Sequence, residues 1–126
     1  MKRFLMTGLA CVLSSGIASA ALAGDAVAGK AVYTGRGTCW TCHGQAGKGD
    51  GPAGKALNPP PRDFSVGAFK FDADKNGKPG EDADLKLVIT KGAGAFGGNM
   101  AMAPWGHLSA KEIDDVIAYV RTLKKK

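Results

Sequence analysis

Cys39-Trp40-Thr41-Cys42-His43 is the stretch whose residue types and spacing could do chemistry. In a helix, Cys39 and Cys42 stand three apart and His43 four from Cys39, so all three project to one side. Two thiols so placed can add across the two vinyl groups of one porphyrin edge, and the adjacent imidazole can bind iron from the proximal face. Cys-x-x-Cys-His is the attachment signature of c-type haem. A cofactor tethered by covalent bonds need not be fully enclosed, which suits a short chain.

Two rival chemistries share a bare Cys-x-x-Cys. A thioredoxin-like redox pair needs a βαβ pattern around it, and none is present. A zinc site needs four ligands, yet His107 is the only other histidine, and adjacent Cys42 and His43 would strain a tetrahedral site.

The 126 residues allow one small domain. Residues 1–23 read as a secretory signal: Lys2 and Arg3 open it, Phe4 to Ile17 are largely apolar, and Ala21-Leu22-Ala23 offers a cleavage site. The expected mature domain is therefore 24–126, in the periplasm. The apolar run is too short to span a bilayer, and Gly8-Leu9-Ala10-Cys11 is a poor lipobox. Cleavage removes Cys11 and leaves Cys39 and Cys42 with no thiol for a structural disulfide. The haem would then supply much of the apolar core that so small a domain lacks.

The net charge of +6 includes Lys2 and Arg3, so the mature chain carries +4. This suits docking to acidic redox partner proteins or membrane respiratory complexes, and no aromatic-basic stripe points to nucleic acid. Lys124-Lys125-Lys126 reads as a solvated helix end.

The elements that must position the motif are helical. Asp25 caps a first helix, with Val27, Ala28, Ala31 and Val32 as its apolar face and Gly29 a point of close approach to the last helix. After His43, glycine-rich backbone wraps the proximal side, and the second imidazole nitrogen requires a carbonyl. Pro52 is preferred to present it, with Pro59-Pro60-Pro61 as the alternative. Asp72-Ala73-Asp74-Lys75-Asn76-Gly77 resembles half a calcium loop, but Ala83 stands where the bidentate glutamate belongs, so a surface turn is expected. Asp82 or Asp84 should open a helix that presents Leu85, Val88 and Ile89 to the haem and ends at Gly92. Ser109 to Glu112 is a capping box for a last helix with the stripe Ile113, Val116, Ile117, Val120 and Leu123. Between these helices a loop carries Met100 and Met102, either of which could give iron a distal thioether. A second histidine ligand, His107, stands two residues before a cap, where an exposed role fits better.

In this order of parts the chain resembles a class I, monohaem cytochrome c of the bacterial periplasmic type, over Asp25 to Lys126. The resemblance implies an all-α cytochrome c fold of three to five short helices with long Gly/Pro-rich loops. Met102-Ala103-Pro104-Trp105-Gly106 matches the family's methionine setting, with alanine where the first proline is common. That match implies Met102 as the distal ligand opposite His43, with one haem c bound through Cys39 and Cys42. Trp105 would pack on the haem edge with its indole N–H toward an acceptor such as a propionate; Arg62 is another propionate candidate, though an exposed arginine is the preferred reading. With both axial positions filled, iron has no open site for substrate, so the expected role is a soluble electron-transfer protein rather than an enzyme. A haem-based sensor and an electron-transfer subunit of a larger oxidoreductase are the alternatives.

Overall fold

Gly29 decides how the chain closes. It lies in α1 (Ala26–Thr34), where the Asp25 carboxylate accepts from the Val27 and Ala28 N–H groups at 2.8 and 3.3 Å. In the computed structural model, which describes residues 24–126, a Cβ at Gly29 would overlap the Asp115 carbonyl on the last helix and lie 2.9 Å from Tyr119 Cβ. Only a hydrogen atom fits between the two backbones, so the expected close approach is present. Residues 1–23, where a leader and its cleavage site are expected, lie outside the described residues.

The buried face of α1 is Gly29, Val32 and Tyr33. This corrects the expected face, since Val27 is 83% exposed and Ala31 is exposed. The helix turns about 100° per residue, and once Gly29 is fixed at the contact, positions three and four further on are the ones that point inward. Tyr33, 0% exposed, meets Tyr119 edge-on with ring centroids 5.2 Å apart.

The short α2 (Trp40–His43) carries the motif, and α3 (Asp82–Lys91) and α4 (Ala110–Thr122) complete the helices; no strand occurs among the described residues. The fold is the expected all-α one. The capping box of α4 forms: Ser109 Oγ accepts from Glu112 N–H at 3.1 Å, and Glu112 Oε2 accepts from Ser109 N–H at 2.8 Å. Its stripe buries Ile113, Val116, Ile117 and Val120, with Leu123 half-buried at the cap.

Helix α3 opens at Asp82, one of the two expected positions, with Glu81 as its N-cap. Asp84 occupies the third helical position instead, 1% exposed, and its carboxylate accepts from the N–H groups of Ala73, Asp74 and Glu81. It therefore organises the preceding loop. Gly92 ends the helix as expected, its N–H reaching the Val88 carbonyl at 2.9 Å. No helix among the described residues is long and apolar enough to cross a membrane.

Candidate functional site: a haem cavity between the motif and the methionine loop

Thr38, at φ +42°, turns the chain sharply into α2. Cys39 is already in the right-handed helical region, and the His43 N–H reaches the Cys39 carbonyl at 2.9 Å. The helical geometry that puts both thiols and the imidazole on one side is thus realised. Gly44, at φ +85°, ends the turn.

The last carbonyls of α2 would be orphaned without partners. The glycine-rich loop supplies them: Ala53 N–H reaches Thr41 O at 2.9 Å, Gly51 N–H reaches Cys42 O at 3.0 Å, and Gly49 N–H reaches His43 O at 2.8 Å. A Cβ at Gly51 would overlap the Thr41 carbonyl, which explains glycine there. From the other side the Tyr33 hydroxyl donates to Gly44 O at 2.6 Å. Burial holds that phenol well above its ordinary range, followed by the nearby Cys39, Tyr119 and Asp50. Tyr33 was not singled out from the sequence, although its spacing of four from Gly29 carries the signal.

The carbonyl that orients His43 is that of Arg62, 3.1 Å from Nδ1. This corrects the expectation of Pro52. The backbone around Pro52 is committed to capping α2, and the proline run instead delivers the carbonyl one residue past Pro61. A carbonyl can only accept, so the proton sits on Nδ1 and the lone pair of Nε2 is free for a metal. Burial lowers the His43 pKa, with the Arg62 bond opposing it, which favours the neutral ligating form. Phe64 stacks on the imidazole at 4.4 Å and 18°.

A cavity of about 550 Å³ opens over this helix. Cys39, Cys42 and His43 line it from one side, Leu85, Val88 and Ile89 from α3, and Met102 from the loop. Both cysteines are free and half-buried, and burial pushes the Cys39 thiol up to about 11. A large, mostly apolar cavity with two unpaired thiols and an oriented imidazole fits a covalently held haem in donor set and in lining.

Met102 is half-buried; its N–H reaches Asn99 O at 3.1 Å and its carbonyl accepts from Ala93 N–H at 3.2 Å. Met100 is 85% exposed and absent from the large cavity's wall, lining only a shallow recess behind the loop that Met102 also touches. His107 is exposed and outside the cavity, 5.1 Å from the Trp105 ring. Trp105 does line the cavity. The Arg62 guanidinium donates through Nε to Ala68 O at 2.6 Å.

Asp72, Asp74 and Asp84 bring oxygens within 4.8 Å of one another. Backbone N–H groups fill them: Asn76 and Gly77 donate to Asp72, and Asn76 also donates to Asp74. The expected turn forms, with the carboxylates already partnered by its backbone.

The family model for cytochrome c matches residues 26–124, and the chain belongs to that family. It is a c-type cytochrome whose haem is covalently bound, with Cys39 and Cys42 in the attachment motif; a class I, monohaem form is consistent with it, and a cytochrome c domain implies electron transfer. A chain of the Kuenenia stuttgartiensis reducing HAO-like protein complex is similar at 32% identity and TM-score 0.62, over 77% of this chain. The match takes in 41% of that longer chain. No curated protein matches.

Proposed function

We propose that this chain is a periplasmic one-electron carrier in which His43 and Met102 hold the haem iron from opposite faces. The observation that carries the reading is the contrast between the two methionines: Met102 lines the cavity shared with both thiols and His43, and Met100 points elsewhere. The haem supplies a site that takes up and returns one electron. The chain keeps that site ready: Arg62 O fixes the imidazole plane, the Asn99–Met102 turn sets the thioether, and the apolar walls exclude water. Ligands retained in both oxidation states leave little to reorganise as the electron moves. Residues 1–23 would direct export and be removed after Ala23. Arg62 and Lys70, on the cavity wall, add positive charge where an acidic partner would approach.

Carbon monoxide tests this directly. Mixed with the reduced wild-type protein, it should leave the Soret band unmoved, because both axial positions are held. A prompt shift would contradict the carrier reading and favour a sensor or enzyme.

A second reading, the electron-transfer subunit of a larger oxidoreductase, draws on the resemblance to a chain within an HAO-like complex. A stable larger species on native purification from the source membrane and periplasmic fractions would favour it, and a free monomer the mobile carrier.

A further inference from the structure

Asn99 bonds in three directions. Its backbone carbonyl accepts from Met102 N–H at 3.1 Å, its side-chain Oδ1 accepts from Ala101 N–H at 2.9 Å, and its Nδ2 donates to Pro59 O at 3.1 Å. The first two bonds fold the methionine turn. The third crosses 40 positions of sequence to the proline segment, whose next residues lead to the Arg62 carbonyl on His43. Asn99 is half-buried and lines the same cavity as Met102 and His43. Pro59 and Pro61 line it as well, so the bond joins two segments of the cavity wall.

We propose that Asn99 is a positioning residue: its side-chain amide latches the methionine loop to the proximal proline segment and so limits how often the thioether leaves the iron. This inference rests on Met102 being the distal ligand. The loop is glycine-rich on its N-terminal side: Gly97 has nothing within 4 Å of where a Cβ would lie, while Gly98 lies close against Ala93 and Phe71. Beyond the turn itself, Ala93 N–H on the Met102 carbonyl at 3.2 Å is a further backbone tie. A latch of one hydrogen bond between two loops therefore carries weight here. Removing it should release the loop by the equilibrium factor of one such bond, about three- to tenfold.

The test uses the oxidised haem protein and free imidazole, which can bind only when the thioether is away. Asn99→Ala removes both side-chain bonds. Asn99→Ser retains a short acceptor for the Ala101 N–H but cannot reach Pro59, so it isolates the latch, and it carries the test alone if the alanine variant fails to accumulate. Imidazole should bind both variants about three- to tenfold more tightly than wild type, and the Met102 amide should exchange hydrogen faster in both. Wild-type imidazole affinity and exchange in Asn99→Ser overturns the latch, as does a lowered melting temperature with unchanged imidazole affinity. Failure of the underlying reading looks different: wild-type protein would lack the near-infrared sulfur–iron band, or Met102→Ala would keep it.

Discussion

At the scale of single residues, the motif and the methionine loop ask for different kinds of evidence. Cys39, Cys42 and His43 are legible because their spacing alone sets three chemistry-bearing groups on one helical side. Met100 and Met102 have the same residue type and neighbouring positions; the family's methionine setting favours Met102 in the sequence, and the course of the backbone then puts only Met102 on the large cavity's wall. Replacing Met102 with alanine should lower the reduction potential by at least about 60 mV, a tenfold shift in a one-electron equilibrium, and Met100→Ala should leave it unchanged; redox titration of both variants checks this. The Arg62 carbonyl was hidden for a related reason. Any backbone carbonyl can orient an imidazole, so residue type carries no signal for it. Tyr33→Phe removes the hydroxyl that donates to Gly44 O. Because Gly47 N–H still reaches the same oxygen at 3.1 Å, urea unfolding should show a loss of only about 1 kcal/mol.

At the scale of elements, the contact between α1 and α4 is the joint on which the cavity depends. Gly29→Ala adds a good helix former and should still destabilise, because the new methyl meets the Asp115 carbonyl and Tyr119 Cβ. Overpacking costs of this kind run to about 1–3 kcal/mol and exceed the propensity gain of about 1 kcal/mol only when backbone is in the way; a lower thermal midpoint is the check. The same joint has an acid-sensitive end. Asp115 Oδ2 accepts from Lys111 Nζ at 2.6 Å and Oδ1 from Asp25 N–H at 2.8 Å, and these bonds, the Lys111 one foremost, hold its carboxyl below the ordinary carboxylate range. A depressed carboxyl stabilises the fold above the unfolded value near ~3.9 and loses that contribution as the pH falls through the folded value. Asp115→Asn should therefore flatten the fall in stability below about pH 4, measured as denaturant midpoints against pH. Helix α4 was readable almost residue by residue, since a capping box and a clean 3.6 period agree. The face of α1 was not, because alanines and valines on two sides give a weak period and the glycine contact, not hydrophobicity, sets its rotation. The sequence narrowed the start of α3 to Asp82 or Asp84, and the helix begins at Asp82; burial of Asp84 within the loop, invisible in sequence, decides between them.

At the scale of the whole molecule, the four short α-helices among the described residues and their caps surround a cavity of about 550 Å³ where a larger protein would have a core. Much of the apolar filling is thus assigned to a cofactor, and replacing both cysteines with serine should cost far more stability than two thiols alone could explain. The basic balance of the chain, +6 over all residues and +4 without Lys2 and Arg3, predicts that association with an acidic redox partner slows as salt rises, because the attraction between exposed charges is screened over about 10 Å at 0.1 M. Stopped-flow rates across ionic strength would show it. The central claim, however, is that one imidazole and one thioether grip the same iron. The near-infrared sulfur–iron band of the oxidised protein tests it most directly, recorded for wild type, Met100→Ala and Met102→Ala. The account predicts the band in the first two and its loss in the third. A band that survives in Met102→Ala, or is missing from the wild type, would contradict it.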